Sequence, residues 1–361
     1  MTDLLPILRG HLVKKNLDAI VFNTSEFLPS INLRYLSGFT GSDACIFVTR
    51  TESHLFTDGR YRIQAMEQAR GFRVHVVHRK IEALSRAIKA THVNRLGIEG
   101  SRVSYEFIEA LMRRMPGLEI LPLARRFLEE FRLRKGPEEI AKIKKAAHIA
   151  FVACSEMLSS GLSGKRESEV AHELESLFRR NGAGGIAFDT IVASGERSAL
   201  PHGMPTEKVI GIGELVIMDY GCRFEGYNSD ETVTCVPGTP SSDQKKIHKA
   251  VYEAHMVAID SIKAGLKVHE LDAIARRSIE KSGFGKYFMH GLGHGVGMEV
   301  HEPPRISPLG RGVLEEGMVF TIEPGIYLDG IGGVRLESLV CLGRNGPEII
   351  SEMPKELISV G

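Results

Sequence analysis

The stretch HGLGHGVGMEVHE at residues 290–302 is the part of the sequence that decides which fold to expect. It contains three of the 14 histidines, four glycines and the acids Glu299 and Glu302. Glycine lets a backbone come close to a bound ion or substrate because it has no Cβ, and imidazole can bind a metal or carry a proton near neutral pH. The stretch therefore predicts one wall of a reaction centre, although a glycine-rich loop with solvated histidines would have a similar composition.

Four acids elsewhere in the same half of the chain strengthen this interpretation. Asp219, Glu323 and Glu337 adjoin apolar segments with strand character, where an unpaired ionised carboxylate would be expensive to bury. Asp230 follows Asp219 after a glycine-flanked turn, so a hairpin could bring these two carboxylates together. Each acid taken alone is better explained as a strand-end or turn residue. Together with His294, the four acids predict a two-metal site with mainly oxygen ligands, which suits Mn²⁺ or Co²⁺ and differs from a thiolate-rich structural zinc site.

The composition limits the classes of protein and partner to consider. A length of 361 residues predicts about two domains, and 43% hydrophobic with 25% charged residues is ordinary for a globular protein with a core. The 46 basic and 45 acidic residues nearly cancel, which indicates no nucleic-acid or membrane partner. Because no signal-peptide pattern or long apolar run is present, we expect a cytoplasmic protein. The scattered cysteines predict buried thiols rather than disulfides or a zinc cage: Cys45, Cys154, Cys222, Cys235 and Cys341.

Helix and strand patterns divide the chain into two domains, which we predict at 1–132 and 133–361. The first part mixes short apolar strands with amphipathic helices and predicts a small α/β domain. The motif KGPEE at 135–139 predicts a helix start, because proline and acids favour the first helical turn. Beyond it, paired helices separate groups of strands, which predicts an α+β domain with helices on one face of a sheet. The predicted helices there cover about 137–159, 168–181, 242–264 and 268–282, and the predicted strands 190–193, 215–220, 319–323 and 333–342.

The order of the candidate ligands resembles a known superfamily. The pattern is similar to the five metal ligands of the creatinase/methionine-aminopeptidase (pita-bread) superfamily: Asp219, Asp230, His294, Glu323 and Glu337. The 290–302 stretch resembles the signature of its proline-specific branch, the Xaa-Pro dipeptidases and Xaa-Pro aminopeptidases. NLRYLSGFTGS at 32–42 and TDGRY at 57–61 resemble the creatinase-type N-terminal domain, which methionine aminopeptidases generally lack. The resemblance implies an α+β fold, with a C-terminal pita-bread catalytic domain preceded by a smaller α/β creatinase-like domain.

This resemblance implies a metal-dependent exopeptidase that hydrolyses Xaa-Pro bonds of dipeptides or short peptides. Two divalent ions, Mn²⁺ first with Co²⁺ or Zn²⁺ as alternatives, would hold a bridging hydroxide as the nucleophile. Asp230 and Glu337 would bridge the ions, and Asp219 would chelate one of them. His294 and Glu323 would complete the other, and Glu323 would also move the proton from the nucleophile.

The same resemblance implies a substrate side of the site. His202, His290 and His301 would hydrogen-bond the peptide carbonyl and stabilise the oxyanion, each such donor being worth roughly 2.7–4 kcal/mol. His202 judged alone is more simply a solvated loop histidine, and His290 could be merely structural. Arg335 would either anchor a substrate carboxylate or hold the last ligand in place, which the sequence does not separate. Tyr327 would line the wall of the site.

Two positions near these motifs depart from the family pattern, and two acids of the 290–302 stretch lie outside the ligand set. Val233 stands where the family often has arginine, and Ser338 stands where an aspartate commonly follows the last ligand. Neither departure removes a ligand, but both leave the tuning of the metals open. Glu299 and Glu302 have no expected part in the chemistry, because the ligand set is complete without them.

Several alternatives stay open at this point. A pita-bread hydrolase could act on another substrate, and a relative without catalysis could serve as a peptide- or protein-binding module. A non-catalytic relative would be expected to lack some of the metal ligands, and none of the five ligand positions is lost in this chain. Dipeptidases and aminopeptidases differ in whether the pocket closes beyond the proline, which loops and a partner subunit decide. The resemblance also implies a homodimer, in which Arg60 and Tyr61 of the N-terminal domain are candidates for contacting the partner.

Overall fold

Side-chain alternation in β1 (Ala19–Thr24) explains why the N-terminal part of the chain is layered. Ile20 and Phe22 belong to the core on one face of the sheet, whereas Ala19 and Val21 belong to the core on the other face. Because successive residues of a strand point to opposite faces, this one strand supplies both cores. The predicted α/β character of the N-terminal domain is confirmed.

The structure is a computed structural model that describes residues 4–124 and 129–360. The chain forms two units, Met1–Phe131 and Arg132–Gly361, and each unit has hydrophobic clusters of its own.

The N-terminal unit is a three-layer arrangement around one mixed sheet. Its further strands are β2 (Ala44–Thr49), β3 (Ser53–Thr57), β4 (Arg73–Val76), β5 (Arg95–Glu99) and β6 (Glu119–Leu123). Its helices are α1 (Leu5–Lys14), α2 (Ile31–Ser37), α3 (Arg62–Gln68), α4 (Lys80–Ala90) and α5 (Tyr105–Arg114). The strand order is β4-β3-β2-β1-β5-β6, in which β2 and β3 form an antiparallel hairpin. Helices α1 to α3 pack on one face, and α4 and α5 pack on the other.

The C-terminal unit contains two pairs of helices and several short sheets. The helices are α6 (Pro137–Ser159), α7 (Glu167–Arg180), α8 (Ser242–Asp260) and α9 (Val268–Lys281). The strands of its first part are β7 (Gly185–Ile186), β8 (Ile191–Ser194), β9 (Val216–Tyr220), β10 (Cys222–Phe224), β11 (Tyr227–Asn228) and β12 (Glu231–Pro237). The strands of its second part are β13 (Gly293–Gly295), β14 (Glu302–Ile306), β15 (Val319–Ile322), β16 (Gly325–Leu328), β17 (Gly332–Arg335), β18 (Ser338–Gly343), β19 (Gly346–Ile349) and β20 (Ile358–Val360).

Helix α6 begins where the KGPEE motif predicts. Gly136 is its N-cap, Pro137 occupies the first helical position, and the Glu139 carboxylate accepts a hydrogen bond of 2.8 Å from the Gly136 N–H. Proline costs no backbone hydrogen bond at this position, because the N–H groups of the first turn have no partner within the helix.

Each pair of helices covers its own sheet. Helices α6 and α7 share a hydrophobic cluster with the four-stranded sheet β20-β12-β9-β8. Helices α8 and α9 share another with the five-stranded sheet β14-β13-β15-β18-β19. This arrangement confirms the predicted α+β class, although the helices cover two sheets rather than one.

The prediction of one continuous strand over 333–342 is wrong. Strand β17 ends at Arg335 and pairs with β16, whereas β18 begins at Ser338 and pairs with β15. Leu336 and Glu337 form the crossing between the two sheets, and the Glu337 N–H donates to the Thr232 carbonyl over 3.0 Å. An apolar run looks continuous in sequence because every part of it is buried, even where the chain changes sheets.

The segment between Asp219 and Asp230 is more elaborate than a single hairpin. It contains the short antiparallel pair β10–β11, while the flanking strands β9 and β12 pair directly. In that pairing, Asp219 lies opposite Thr232.

The cysteines and the helices bear on two further predictions. All five cysteines are free and buried, as predicted. Within the part of the chain that the structure describes, no helix has the length and apolar character needed to cross a bilayer.

Candidate metal centre

The five candidate ligands lie on or next to strands of the four-stranded and the five-stranded sheets of the C-terminal unit. Asp219 lies near the end of β9, and Asp230 directly precedes β12. His294 is the middle residue of β13, and Glu323 directly follows β15. Glu337 lies at the crossing from β17 to β18. Because antiparallel pairing joins β9 to β12 and β13 to β15, the ligands arrive in neighbouring positions.

The side chains of these residues converge. Ligand atoms of Asp230, His294 and Glu337 all lie within 4.8 Å of one another, close enough to hold a metal ion. Nε2 of His294 is 3.7 Å from Oδ2 of Asp230 and 3.4 Å from Oε1 of Glu323. Asp219 adds its negative charge to the group, since it raises the pKa of Asp230, Glu323 and Glu337. The structure therefore brings all five together.

The cluster is short of positive charge. Burial raises the pKa of Asp230 and of Glu323 well above their ordinary values, and the neighbouring carboxylates raise both further. Burial and the nearby Asp219 raise the pKa of Glu337 to about 8. Among the described residues, Oδ1 of Asp219 is a buried oxygen without a hydrogen-bond donor. Buried carboxylates that repel one another in this way fit a site that divalent cations would neutralise.

The tautomer of His294 also fits a metal ligand. Its Nδ1 lies 3.2 Å from the carbonyl oxygen of Gly295. Because a carbonyl oxygen only accepts, Nδ1 carries the proton and the lone pair of Nε2 faces the carboxylates. Burial lowers the pKa of His294 to about 4, which keeps the ring neutral near pH 7.

Two threonines that the sequence analysis did not single out support the ligands. The Thr232 hydroxyl donates to Oε2 of Glu337 over 2.7 Å. The Thr321 hydroxyl accepts from the His294 N–H at 3.1 Å and lies 3.4 Å from Oε1 of Glu323. Both threonines lie two positions from an acid of the cluster, and such spacing places side chains on one face of a strand. This spacing of two residues from Asp230 and from Glu323 was the feature of the sequence from which the two threonines could have been found.

Arg335 lies in the middle of the site rather than at its rim. Its side chain is buried, and Nη2 donates to Oδ2 of Asp219 over 2.7 Å. Nη1 donates to the Tyr327 hydroxyl at 3.0 Å and to the Pro201 carbonyl at 2.9 Å, and Nε donates to the Thr232 hydroxyl at 3.2 Å. The sequence left open whether Arg335 anchors a substrate carboxylate or holds Glu337, whereas its direct bond to a ligand is to Asp219, which neither role foresaw. Its link to Glu337 runs through Thr232.

His290 is joined to Arg335 through a hydroxyl group. Nδ1 of His290 lies 2.8 Å from the Gly291 carbonyl and therefore carries the proton. Nε2 accepts from the Tyr327 hydroxyl at 2.9 Å, and that hydroxyl accepts from Arg335. Burial lowers the pKa of His290 to about 4, so the ring is neutral near pH 7. The predicted wall residue Tyr327 thus connects a predicted substrate histidine to the arginine.

The other two predicted histidines face the same centre. The ring of His301 lies 4.2 Å from the ring of His294, measured between centroids. His202 is exposed on the segment that follows β8. The carbonyl of the preceding residue, Pro201, accepts from Nη1 of Arg335 at 2.9 Å, so the loop brings His202 next to the site.

Glu299 and Glu302 take part in a buried ion network behind the histidines. Glu302 accepts from Nη1 of Arg132 at 2.9 Å and pairs with Nζ of Lys135 at 2.8 Å, while Arg132 also pairs with Glu299. These contacts hold the loop that carries His301. The sequence analysis had no signal for this network, because the partners are separated by more than 160 positions.

The two departures from the family pattern lie in the packed interior. Val233 is buried in the cluster beneath α6 and α7, where it lies opposite Met218. Ser338 is buried at the start of β18, opposite Ile322.

Comparisons with known proteins give the class and then the family. A model of the creatinase/prolidase N-terminal domain matches residues 6–133, and a model of metallopeptidase family M24 matches residues 141–343. Together with the buried carboxylate–histidine cluster, these matches define a metal-dependent peptidase with a creatinase-type N-terminal domain. The chain belongs to metallopeptidase family M24.

Individual relatives match over nearly the whole chain. An Xaa-Pro dipeptidase of Pyrococcus horikoshii is 39% identical over 347 residues, covering 96% of this chain and 95% of the relative. The structure of an Xaa-Pro dipeptidase from Bacillus anthracis superposes with a TM-score of 0.94 at 39% identity, covering 99% of both chains. The structure of an X-Pro aminopeptidase from Thermotoga maritima superposes with a TM-score of 0.92 at 36% identity, covering 98% of this chain and 100% of that one. The predicted superfamily and the two-domain architecture are therefore confirmed.

Proposed function

We propose that this chain hydrolyses the Xaa-Pro bond of dipeptides or short peptides with a free N-terminus. The observation that carries the proposal is the convergence of four carboxylates, two buried and two half-buried, with one imidazole, next to His290 and His301. Relatives that match at nearly full length are named Xaa-Pro dipeptidase or X-Pro aminopeptidase, and both names occur. Substrate length is therefore left to experiment.

The five converging residues would hold two divalent ions: Asp219, Asp230, His294, Glu323 and Glu337. An oxygen-rich set with one imidazole suits Mn²⁺, with Co²⁺ or Zn²⁺ as alternatives. When bound, such ions supply an activated water as nucleophile and polarise the scissile carbonyl. Arg335 would orient Asp219 through its hydrogen bond, and Thr232 would orient Glu337 in the same way.

The remaining side chains would bind the substrate and move protons. Glu323 would accept a proton from the attacking water, and the proline nitrogen would receive a proton as its bond to the carbonyl carbon breaks. His202 and His301 would donate hydrogen bonds to the carbonyl oxygen, where negative charge develops. His290 would contribute through the Tyr327 hydroxyl that it shares with Arg335.

Specificity for proline has a physical reason. An Xaa-Pro bond is a tertiary amide without an N–H, and the ring fixes its backbone angle. Recognition through the hydrogen bonds of an extended backbone therefore fails, and a dedicated pocket is needed.

The test compares rates on an Xaa-Pro dipeptide, an Xaa-Pro-Yaa tripeptide and the same peptides with alanine in place of proline. Activity lost on chelation and restored by Mn²⁺, with a clear preference for proline, is the expected result. Equal rates on the alanine peptides would point to a different substrate for the same fold. Full activity after chelation, with metal absent by elemental analysis, would exclude the metal-dependent reaction.

A matched pair of variants tests the assignment of Glu323. Glu323→Gln should remove nearly all turnover, whereas Glu316→Gln alters an exposed acid on a nearby loop and should not. If Glu323→Gln keeps most of its kcat, Glu323 is neither a ligand nor the base.

The family resemblance also supports a homodimer as a further part of the proposal. Arg60 is exposed and pairs with Asp58, and the Tyr61 hydroxyl lies 2.7 Å from the Ser42 hydroxyl. Light scattering on the wild type and on Arg60→Ala would test this oligomeric state.

A further inference from the structure

Glu167 is a buried acid outside the metal centre that binds an unusual number of donors. It is the first residue of α7, its exposed fraction is 0%, and its two carboxylate oxygens accept five hydrogen bonds. Oε1 accepts from the N–H and the hydroxyl of Ser194, at 2.8 and 2.9 Å. Oε2 accepts from Nε of Arg197 at 3.1 Å and from the N–H and hydroxyl of Thr206, at 3.1 and 2.7 Å.

These donors lie at both ends of one loop. Ser194 ends β8, and Thr206 lies where the loop returns to α7, so a single carboxylate closes the segment 194–206. Arg197 also forms a hydrogen bond within the loop, in which its Nη2 donates to the Met204 carbonyl over 2.6 Å. The segment is therefore held at its base by Glu167, while its tip carries His202.

The middle of the loop is hydrogen-bonded to β17, the strand that ends two residues before the candidate ligand Glu337. The Ser198 hydroxyl accepts from the Gly333 N–H at 2.8 Å, and the Pro201 carbonyl accepts from Arg335 at 2.9 Å. The His202 side chain is itself exposed. Its position relative to His290 and His301 is consequently set by the loop backbone.

Among side-chain groups, a carboxylate is the one that can accept all five of these hydrogen bonds. Five donors require two acceptor oxygens, and glutamine offers one, since its amide nitrogen is itself a donor. In Glu167→Gln that nitrogen would face donors on one side, either those of Ser194 or those of Thr206 and Arg197. Leaving buried donors without an acceptor costs more than the net value of the bonds lost.

We propose that Glu167 is a positioning residue for the peptidase reaction, which sets the loop 194–206 so that His202 faces the scissile carbonyl. The kinetic part of this proposal rests on the proposed function, because it requires His202 to contact the substrate. The structural part does not depend on that function.

The kinetic test is a double-mutant cycle between Glu167→Gln and His202→Ala. We expect Glu167→Gln to lower kcat/KM about 10-fold, because the loss of one hydrogen bond to a charged group typically corresponds to a factor of about ten. The metal content should stay unchanged. In the His202→Ala background, the same substitution should lower kcat/KM less than about twofold, because residues that act through one another are not additive. Glu169→Gln is the matched control, since Glu169 lies in the same helical turn, is exposed and caps the Arg166 N–H.

Additive effects in the cycle would overturn the proposal, as would a Glu167→Gln enzyme with the same kcat/KM as Glu169→Gln. If Glu167→Gln does not fold, Thr206→Val replaces it. That variant removes one hydroxyl donor with little change of shape, and a smaller loss with the same dependence on His202 is expected.

The second test needs no activity. Hydrogen exchange measured by mass spectrometry should be faster across 194–206 in Glu167→Gln and in Thr206→Val than in the wild type and Glu169→Gln. Unchanged exchange in both loop variants would overturn the structural part. A wild-type enzyme that cleaves no Xaa-Pro peptide, together with faster exchange in the variants, would instead contradict the proposed function and leave the loop anchor in place.

Discussion

The guanidinium of Arg335 donates a hydrogen bond of 2.7 Å from Nη2 to Oδ2 of Asp219, although 116 positions separate the two residues. The same guanidinium reaches Tyr327, Thr232 and the Pro201 carbonyl. It therefore joins a candidate metal ligand, the residue that supports another ligand, and the loop that carries His202. A planar group with several donors in fixed directions is needed for this, and arginine supplies it.

Arg335→Lys should consequently lower kcat/KM by about 100-fold, because lysine keeps the charge but loses the fork of donors. The measurement is steady-state kinetics on the preferred peptide with metal content determined in parallel. Arg344→Lys, which alters an exposed arginine of the same unit, is the control. Wild-type kinetics in Arg335→Lys would mean that charge alone suffices at this position.

Tyr327→Phe removes the hydroxyl that connects Arg335 to His290 and leaves the ring in place. Two hydrogen bonds of about 1 kcal/mol each are lost, so we expect a fall of up to about 30-fold in kcat/KM together with a lower Tm. Exposed Tyr105→Phe should change neither quantity. If Tyr327→Phe is fully active, the orientation of His290 does not depend on this link.

Without the metal, the stability of the protein should fall as pH rises from about 7.5 to 8.5. Without a cation, the pKa of Glu337 is raised from an unfolded value of 4.5 to about 8. The folded state then holds this proton more tightly than the unfolded state. The stability that the protonated group contributes is complete below pH 4.5 and is lost as pH rises through 8.

We therefore expect the chelated protein to lose about 0.7 kcal/mol of unfolding free energy from pH 7.5 to 8.5, since one proton over one pH unit corresponds to about 1.4 kcal/mol and Glu337 holds about half a proton over this range. The range starts at about pH 7.5 because histidines, which titrate near pH 6.5 in the unfolded state, are largely neutral in both states only above that pH. Thermal unfolding at several pH values measures the effect. The Mn²⁺-loaded protein should show a much smaller slope, and equal slopes would show that cation and carboxylates do not interact.

Glu302→Gln should destabilise the protein by about 3 kcal/mol or more, because it leaves the buried cation of Lys135 without its carboxylate and leaves Arg132 with Glu299 as its remaining acid. Chemical denaturation followed by circular dichroism measures this loss. The control is Glu315→Gln, whose pair with Arg134 is exposed and is worth about 0–1 kcal/mol. Comparable losses in the two variants would mean that the buried network adds no stability.

Much of the fold could be predicted from local patterns. The short apolar run at Ala19–Thr24, the polar tip between β2 and β3 and the helix-start motif at Pro137 each depend on a few adjacent residues. The break at Leu336 and Glu337 could not be predicted in this way. Both flanking strands are buried, so the apolar pattern does not change where the chain passes from one sheet to the other.

By itself, the sequence determined which residues could meet in a metal centre, because the order and residue types of Asp219, Asp230, His294, Glu323 and Glu337 resemble one family pattern. Only the tertiary structure decided how the surrounding residues are used. It paired Arg335 with Asp219, placed Glu302 in an ion network and made Glu167 the anchor of the His202 loop. The physical reason is that each of these charges is stabilised in the interior by partners distant in sequence, and the positions of those partners are set only when the sheets and helices pack together.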